Sequence, residues 1–126
     1  MGFRGDITTK SAEADIAAFR LTKFGTADES VVAATDGSAF IAGVNGELDV
    51  KTGEPADIVR SGIPLVQFGG TVTKGDPLTA GADGKAVKAE PAAGANVFIA
   101  GYAEVDGVDG DIGEYLALPG VLQGAA

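Results

Sequence analysis

The chain has no His, no Cys and no Trp, a single Met, and only nine Lys+Arg among its 126 residues. Each absence removes a class of function. Without imidazole or thiol there is no Ser-His or Cys-His nucleophile pair. There is no imidazole or thiolate zinc site and no disulfide framework. Against the nine cationic side chains stand 18 Asp+Glu, a formal net charge of −9. That balance argues against nucleic acid, which is held largely by Lys and Arg on phosphates, and against anionic membranes. No apolar run approaches the roughly 20 residues of a membrane-spanning helix. The opening Met1–Asp6 has neither the apolar stretch of a signal peptide nor the Ser or Thr that a myristoylation signal needs at position 6. The expected setting is the cytoplasm or a particle assembled there, and neither a cofactor nor an enzymatic activity is expected.

What the sequence has in abundance is small residues: 22 Ala and 20 Gly, about a third of the chain. Val, Ile, Leu and Phe total 32, enough for a folded rather than a disordered chain. The length suits one domain or two small lobes sharing a core. Hydrophobic stabilisation scales with buried area, at roughly 25 cal/mol per Å², and Ala and Gly bury little. The core is therefore thin, which favours stabilisation by neighbouring subunits or a larger surface.

Gly-containing turn pairs recur at Asp36-Gly37, Asn45-Gly46, Asp83-Gly84, Asp106-Gly107 and Asp109-Gly110. Such pairs suit tight hairpins whose central residues need positive φ. Between them lie short apolar or alternating runs at 31–34, 39–44, 58–59, 63–68, 85–89, 95–105 and 114–118. Short strands between Gly-rich turns predict an all-β barrel or sandwich. Ser11 ahead of Glu13 and Asp15 resembles a helix start, so residues 11–19 read either as one or two helical turns or as extended chain. Residues 1–11 read either as an N-terminal arm, with Phe3, Arg4 and Ile7 as its candidate contact residues, or as a frayed terminus, and 12–126 read as a single β domain. Aromatic and Arg side chains dominate interface energetics, which is the reason for choosing those anchors.

The chain also repeats itself. Phe40-Ile41-Ala42-Gly43 recurs as Phe98-Ile99-Ala100-Gly101, an offset of 58. Leu21-Thr22 matches Leu78-Thr79 at 57, and residues 53–59 resemble 110–116. The matched stretches predict two related halves, about 20–62 and 77–120, each too small to stand alone and sharing one core. Phe40 and Phe98 line either that core or a subunit interface, and their place in matched strands favours the core.

Several motifs carry chemistry elsewhere. Asp106, Asp109, Asp111 and Glu114 crowd four carboxylates into one Gly-rich stretch, a composition that suits calcium, although the EF-hand spacing is absent. Paired carboxylates also serve glycosidases, but the chain has only two Tyr, and no Trp, to form a sugar platform. Val72-Thr73-Lys74-Gly75-Asp76-Pro77-Leu78 is similar to a turn of biotinyl- and lipoyl-carrier barrels, with Lys85 in Asp83-Gly84-Lys85-Ala86 as the nearest candidate lysine. Arg4-Gly5-Asp6 spells an integrin tripeptide. Lys74 and Lys85 adjoin Gly, but no P-loop is present.

One ordered set of residues resembles a known family. It runs through Ile58–Val66 with its Arg60, through Gly69-Gly70-Thr71-Val72-Thr73-Lys74-Gly75-Asp76-Pro77-Leu78-Thr79, and through Ala82-Asp83-Gly84-Lys85-Ala86-Val87, with a closing strand at 97–104. This order resembles the capsid cement, or head decoration, proteins of tailed bacteriophages over roughly residues 12–118. The resemblance implies a non-enzymatic virion protein on the outer surface of the head. It would bind the major capsid protein and commonly its own copies as a homotrimer, bridging capsid subunits against internal DNA pressure. The other readings are a tail or spike accessory, or a small carrier or ligand-binding barrel.

Overall fold

The computed structural model describes residues 3–124, and the chain is almost entirely β. Twelve strands follow in order: β1 (Phe3–Arg4), β2 (Ile7–Ala12), β3 (Leu21–Phe24), β4 (Ser30–Ala33), β5 (Ile41–Asn45), β6 (Pro55–Val59), β7 (Gly62–Ile63), β8 (Leu65–Gln67), β9 (Pro77–Ala80), β10 (Ala86–Lys88), β11 (Asn96–Ala103) and β12 (Ile112–Gln123). A 3₁₀ turn at Ala82–Gly84 joins β9 to β10. The predicted runs fall on β4, β5, β6, β7–β8, β10, β11 and β12.

Ten of the strands form two five-stranded units of one topology, and β1 pairs with β7. In the first, β2-β4-β3-β5-β6 close into a barrel through the parallel pair β2–β4. The second has the order β10-β9-β11-β12-β8, and a parallel bridge between Phe68 and Ala86 joins its edges. Strand for strand, β8 takes the place of β2, β9 of β3, β10 of β4, β11 of β5 and β12 of β6. The Ile16–Val50 bridge of the first unit returns as Val72–Gly107 in the second. Gly43 and Gly101, at the ends of the two Phe-Ile-Ala-Gly runs, share a φ of 153°.

The predicted duplication is therefore present, with two differences in extent. Each repeat begins earlier than expected, at β2 and β8, whose sequences share almost nothing. Thr22 and Leu78 each lie opposite a matched glycine, Gly43 and Gly101. The structural offset there is 56 rather than 57, so the Leu-Thr identity is one residue out of register.

The N-terminal residues also differ from expectation. Residues 7–12 are extended, but they are a barrel strand rather than a separate arm: Ile7–Ser11 pair with β6, and Ser11 and Ala12 with β4. Polar Thr and Lys at alternate positions concealed a strand whose inward face is only half-buried until Ala12. Residues 11–19 form no helix. Ser11 and Ala12 end β2, and Ile16 bridges to Val50. The acids that resembled a helix start bond elsewhere, Glu13 to the loop 26–30 and Asp15 to Thr52.

The two interiors are filled differently. Ala12, Ile16, Val31, Ala42, Val50, Ala56 and Ile58 fill the first barrel. At the positions of Ala12 and Ile58 the second unit places Phe68 and Tyr115, both buried. Room for the Phe68 ring comes from Gly107 and Gly113, the counterparts of Val50 and Ala56. A Cβ at Gly107 would lie 2.5 Å from the Phe68 ring, and one at Gly113 would lie 2.8 Å from it. Interiors pack at near-crystalline density, so such volumes must balance. A shared cluster joins the outer face of the first barrel, including Leu21, Ile41, Val44 and Val59, to Phe68, Leu78 and Tyr115 of the second unit. Arg20 clasps the seam, donating from Nη1 to Asp83 at 3.0 Å and from Nη2 to Gln67 at 2.8 Å.

Candidate functional site

The acidic stretch after β11 serves turns. Asp106 accepts the Lys74 N–H at 2.8 Å and Asp111 accepts the Val108 N–H at 3.0 Å. Asp109 lies 3.8 Å from the Lys85 ammonium. The first unit repeats the two backbone caps: Asp49 accepts from Ala18, and Glu54 from Lys51. A role kept in both halves, where the surrounding residues differ, is a demand of the turn geometry. Among the described residues no group of three or more acids is placed to hold a metal ion. Glu13 is bound most tightly. It accepts from Ser30 Oγ and from the backbone N–H groups of Ala27 and Thr26, and these bonds lower its pKa to about 2. Asp15, Glu29 and Asp36 are lowered too, chiefly by hydrogen bonds from Thr52, Lys10 and Ser38 respectively. Burial raises the Tyr115 hydroxyl.

The remaining motifs resolve into structural positions. Lys85 follows the 3₁₀ turn rather than capping a hairpin tip, and its stem covers Gly69. In Arg4-Gly5-Asp6, Gly5 donates its N–H to the Ser61 carbonyl and Asp6 donates its N–H to Ser61 Oγ. Phe3 and Arg4 form β1, paired with Ile63 and Gly62, and their side chains lie outside the described residues. Ile7 opens β2 and is 44% exposed.

An aromatic cluster emerges that the sequence did not suggest. Phe40 is not a core residue: it is 39% exposed, and Phe98 is partly buried at the edge of the shared cluster. As repeat counterparts, they meet edge to face where the halves adjoin, with ring centroids 6.4 Å apart. Phe24, at the end of β3 and 49% exposed, stacks on Phe40 at 5.9 Å. The Arg60 guanidinium sits 5.7 Å over the Phe24 ring, within cation–π range. Arg60 Nε donates to the Ala42 carbonyl at 3.0 Å, which fixes the group in place. Val121, the cross-strand partner of Phe98, is also exposed. The missed signal was Phe24, in a strand that entered the sequence reading only through its Leu-Thr match.

No protein-family model matches this chain, and no curated protein matches it. Its architecture, two fused five-stranded β units, is similar to that of a solved bacteriophage structure. That structure is the crystal structure of the N base of the head fiber gp8.5 in bacteriophage phi29, with 22% sequence identity and a TM-score of 0.71. The match covers 90% of this chain and 93% of that one. At this identity the likeness establishes a common fold.

Proposed function

We propose that this protein is a structural accessory of a tailed-phage head. It sits on the outer surface of the shell, bridges neighbouring copies of the major capsid protein and resists internal DNA pressure. The observation that carries the reading is the likeness to a head-fiber base over nine-tenths of both chains. The ordered motif set from Ile58 to Glu104 supports the same assignment. The working form is a homotrimer, and Phe3, Arg4 and the exposed Ile7 are contacts at its N-terminal end. No cofactor, nucleic acid or membrane enters the mechanism. Each contact is weak alone, but several contacts on one rigid assembly raise one another's effective concentration. A seam covered in this way opens only when all of them break.

Co-sedimentation of the purified protein with unexpanded and expanded head shells of the source phage tests this. Saturable binding at a fixed ratio to capsid protein is expected. A folded protein that binds neither shell refutes the proposal.

A further inference from the structure

We infer that Phe24, Phe40, Phe98 and Arg60 form the surface that docks onto the shell, and that they receive a protein segment presenting a carboxylate beside an apolar side chain. This rests on the head-accessory reading above and names the contact for it.

The internal repeat provides the first argument, because each half is a control for the other. Outside the packed interiors, which the two units fill differently, residues required by the barrel should have equivalents in both units, as the turn acids do. Phe24 and Arg60 do not: the register places Ala80 opposite Ala86 as Phe24 is opposite Val31, and Ala117 opposite Gly101 where Arg60 follows Val59. Alanine satisfies the fold at both places in the second unit. The first unit instead carries a half-exposed aromatic ring and a guanidinium stacked on it, a pairing the architecture does not require.

Charge provides the second argument. The chain has 18 carboxylates and nine cationic side chains, and Lys10, Arg20, Lys51 and Lys85 all lie within ion-pair distance of one. Among the described residues Arg60, like Lys23, Lys74 and Lys88, has no such partner, but unlike those lysines it presents a guanidinium, held at Nε by the Ala42 carbonyl. Its two terminal amino groups are left in the fork geometry that binds a carboxylate bidentately. The neighbouring ribbon of β11 and β12 offers no internal acid to compete, since residues 95–103 and 115–123 carry no charge. Phe40, Phe98 and Val121 supply apolar area beside the fork. A partner other than a second copy fits best, because most of this chain's own carboxylates are held in its own turns and ion pairs.

The test is shell co-sedimentation with wild type, Phe24→Ser, Arg60→Glu and, as an exposed apolar control on another loop, Leu48→Ser. Thermal melting confirms folding, and sedimentation velocity reports self-association. Hot-spot behaviour predicts that Phe24→Ser and Arg60→Glu each weaken shell binding at least about tenfold, while Leu48→Ser binds as wild type and the oligomeric state is unchanged. If Arg60→Glu fails to fold, Phe24→Ser, at a half-exposed position, carries the test alone. Wild-type binding that survives in the folded variants overturns this surface and leaves the head-accessory reading standing. Loss of self-association in the variants assigns the patch to a second copy and also overturns it. Absence of wild-type binding overturns both readings.

Discussion

Replacing Phe68 with Ala removes a fully buried ring from the second unit. Deletions of this kind cost about 3–5 kcal/mol, from lost transfer energy plus the cavity left behind. Gly107→Val alone places a Cβ 2.5 Å from Cδ2 of that ring. The ring is rigid and enclosed, so this overpacking costs about 1–3 kcal/mol. Together, however, the two changes rebuild the first unit's own solution, Ala12 beside Val50. The added Val fills part of the cavity, and the clash disappears with the ring. The double variant should therefore lose less than the sum of the single losses, by about 1–3 kcal/mol of coupling. Urea unfolding of the four proteins in the cycle measures this directly. Losses that add within about 0.5 kcal/mol would show that the two sites are independent, and would refute the claim that the barrels exchange ring volume for glycine.

Gly101→Ala should be among the most damaging single changes, because its Cβ would collide with the Leu116 carbonyl at positive φ; Gly53→Ala, in open space at φ 87°, should cost only about 1 kcal/mol in the same unfolding assay. Glu13 titrates near 4.5 unfolded and about 2 folded, so its contribution is complete above pH 4.5 and is lost as pH falls toward 2. Glu13→Gln should therefore lower the melting temperature at pH 6 and flatten its decline between pH 5 and 2, as followed by circular dichroism. Deleting residues 2–10 removes most of β2 and should abolish the cooperative unfolding transition, where loss of a free arm would leave it unchanged.

The sequence made the fold class legible because apolar runs between Gly-rich turns survive in most strands. The duplication showed through Phe-Ile-Ala-Gly, whose glycines are fixed by close backbone approach at Gly43 and Gly101. Strand β2 was hidden because polar Thr8 and Lys10 occupy its inward face, which is fully buried only at Ala12. The turn pairs are not uniform. Asp83-Gly84 adopts positive φ at both residues, and Gly110 at one, but Gly37, Gly46 and Gly107 do not. Gly107 is glycine for the sake of the Phe68 ring, a reason that lies 39 residues away in the chain. Phe40 and Phe98 resembled core residues because they head matched strands; their exposure follows from meeting each other at the outer rim where the halves join. Phe24 and Arg60 became visible as a pair only once the register showed Ala80 and Ala117 in their places.

An electron cryomicroscopy reconstruction of head shells incubated with this protein tests shell binding directly. Added density is expected on the outer surface, of a size to hold the paired barrels, straddling boundaries between neighbouring capsid subunits. Bare shells at saturating protein, or density confined to a tail or portal structure, would contradict it.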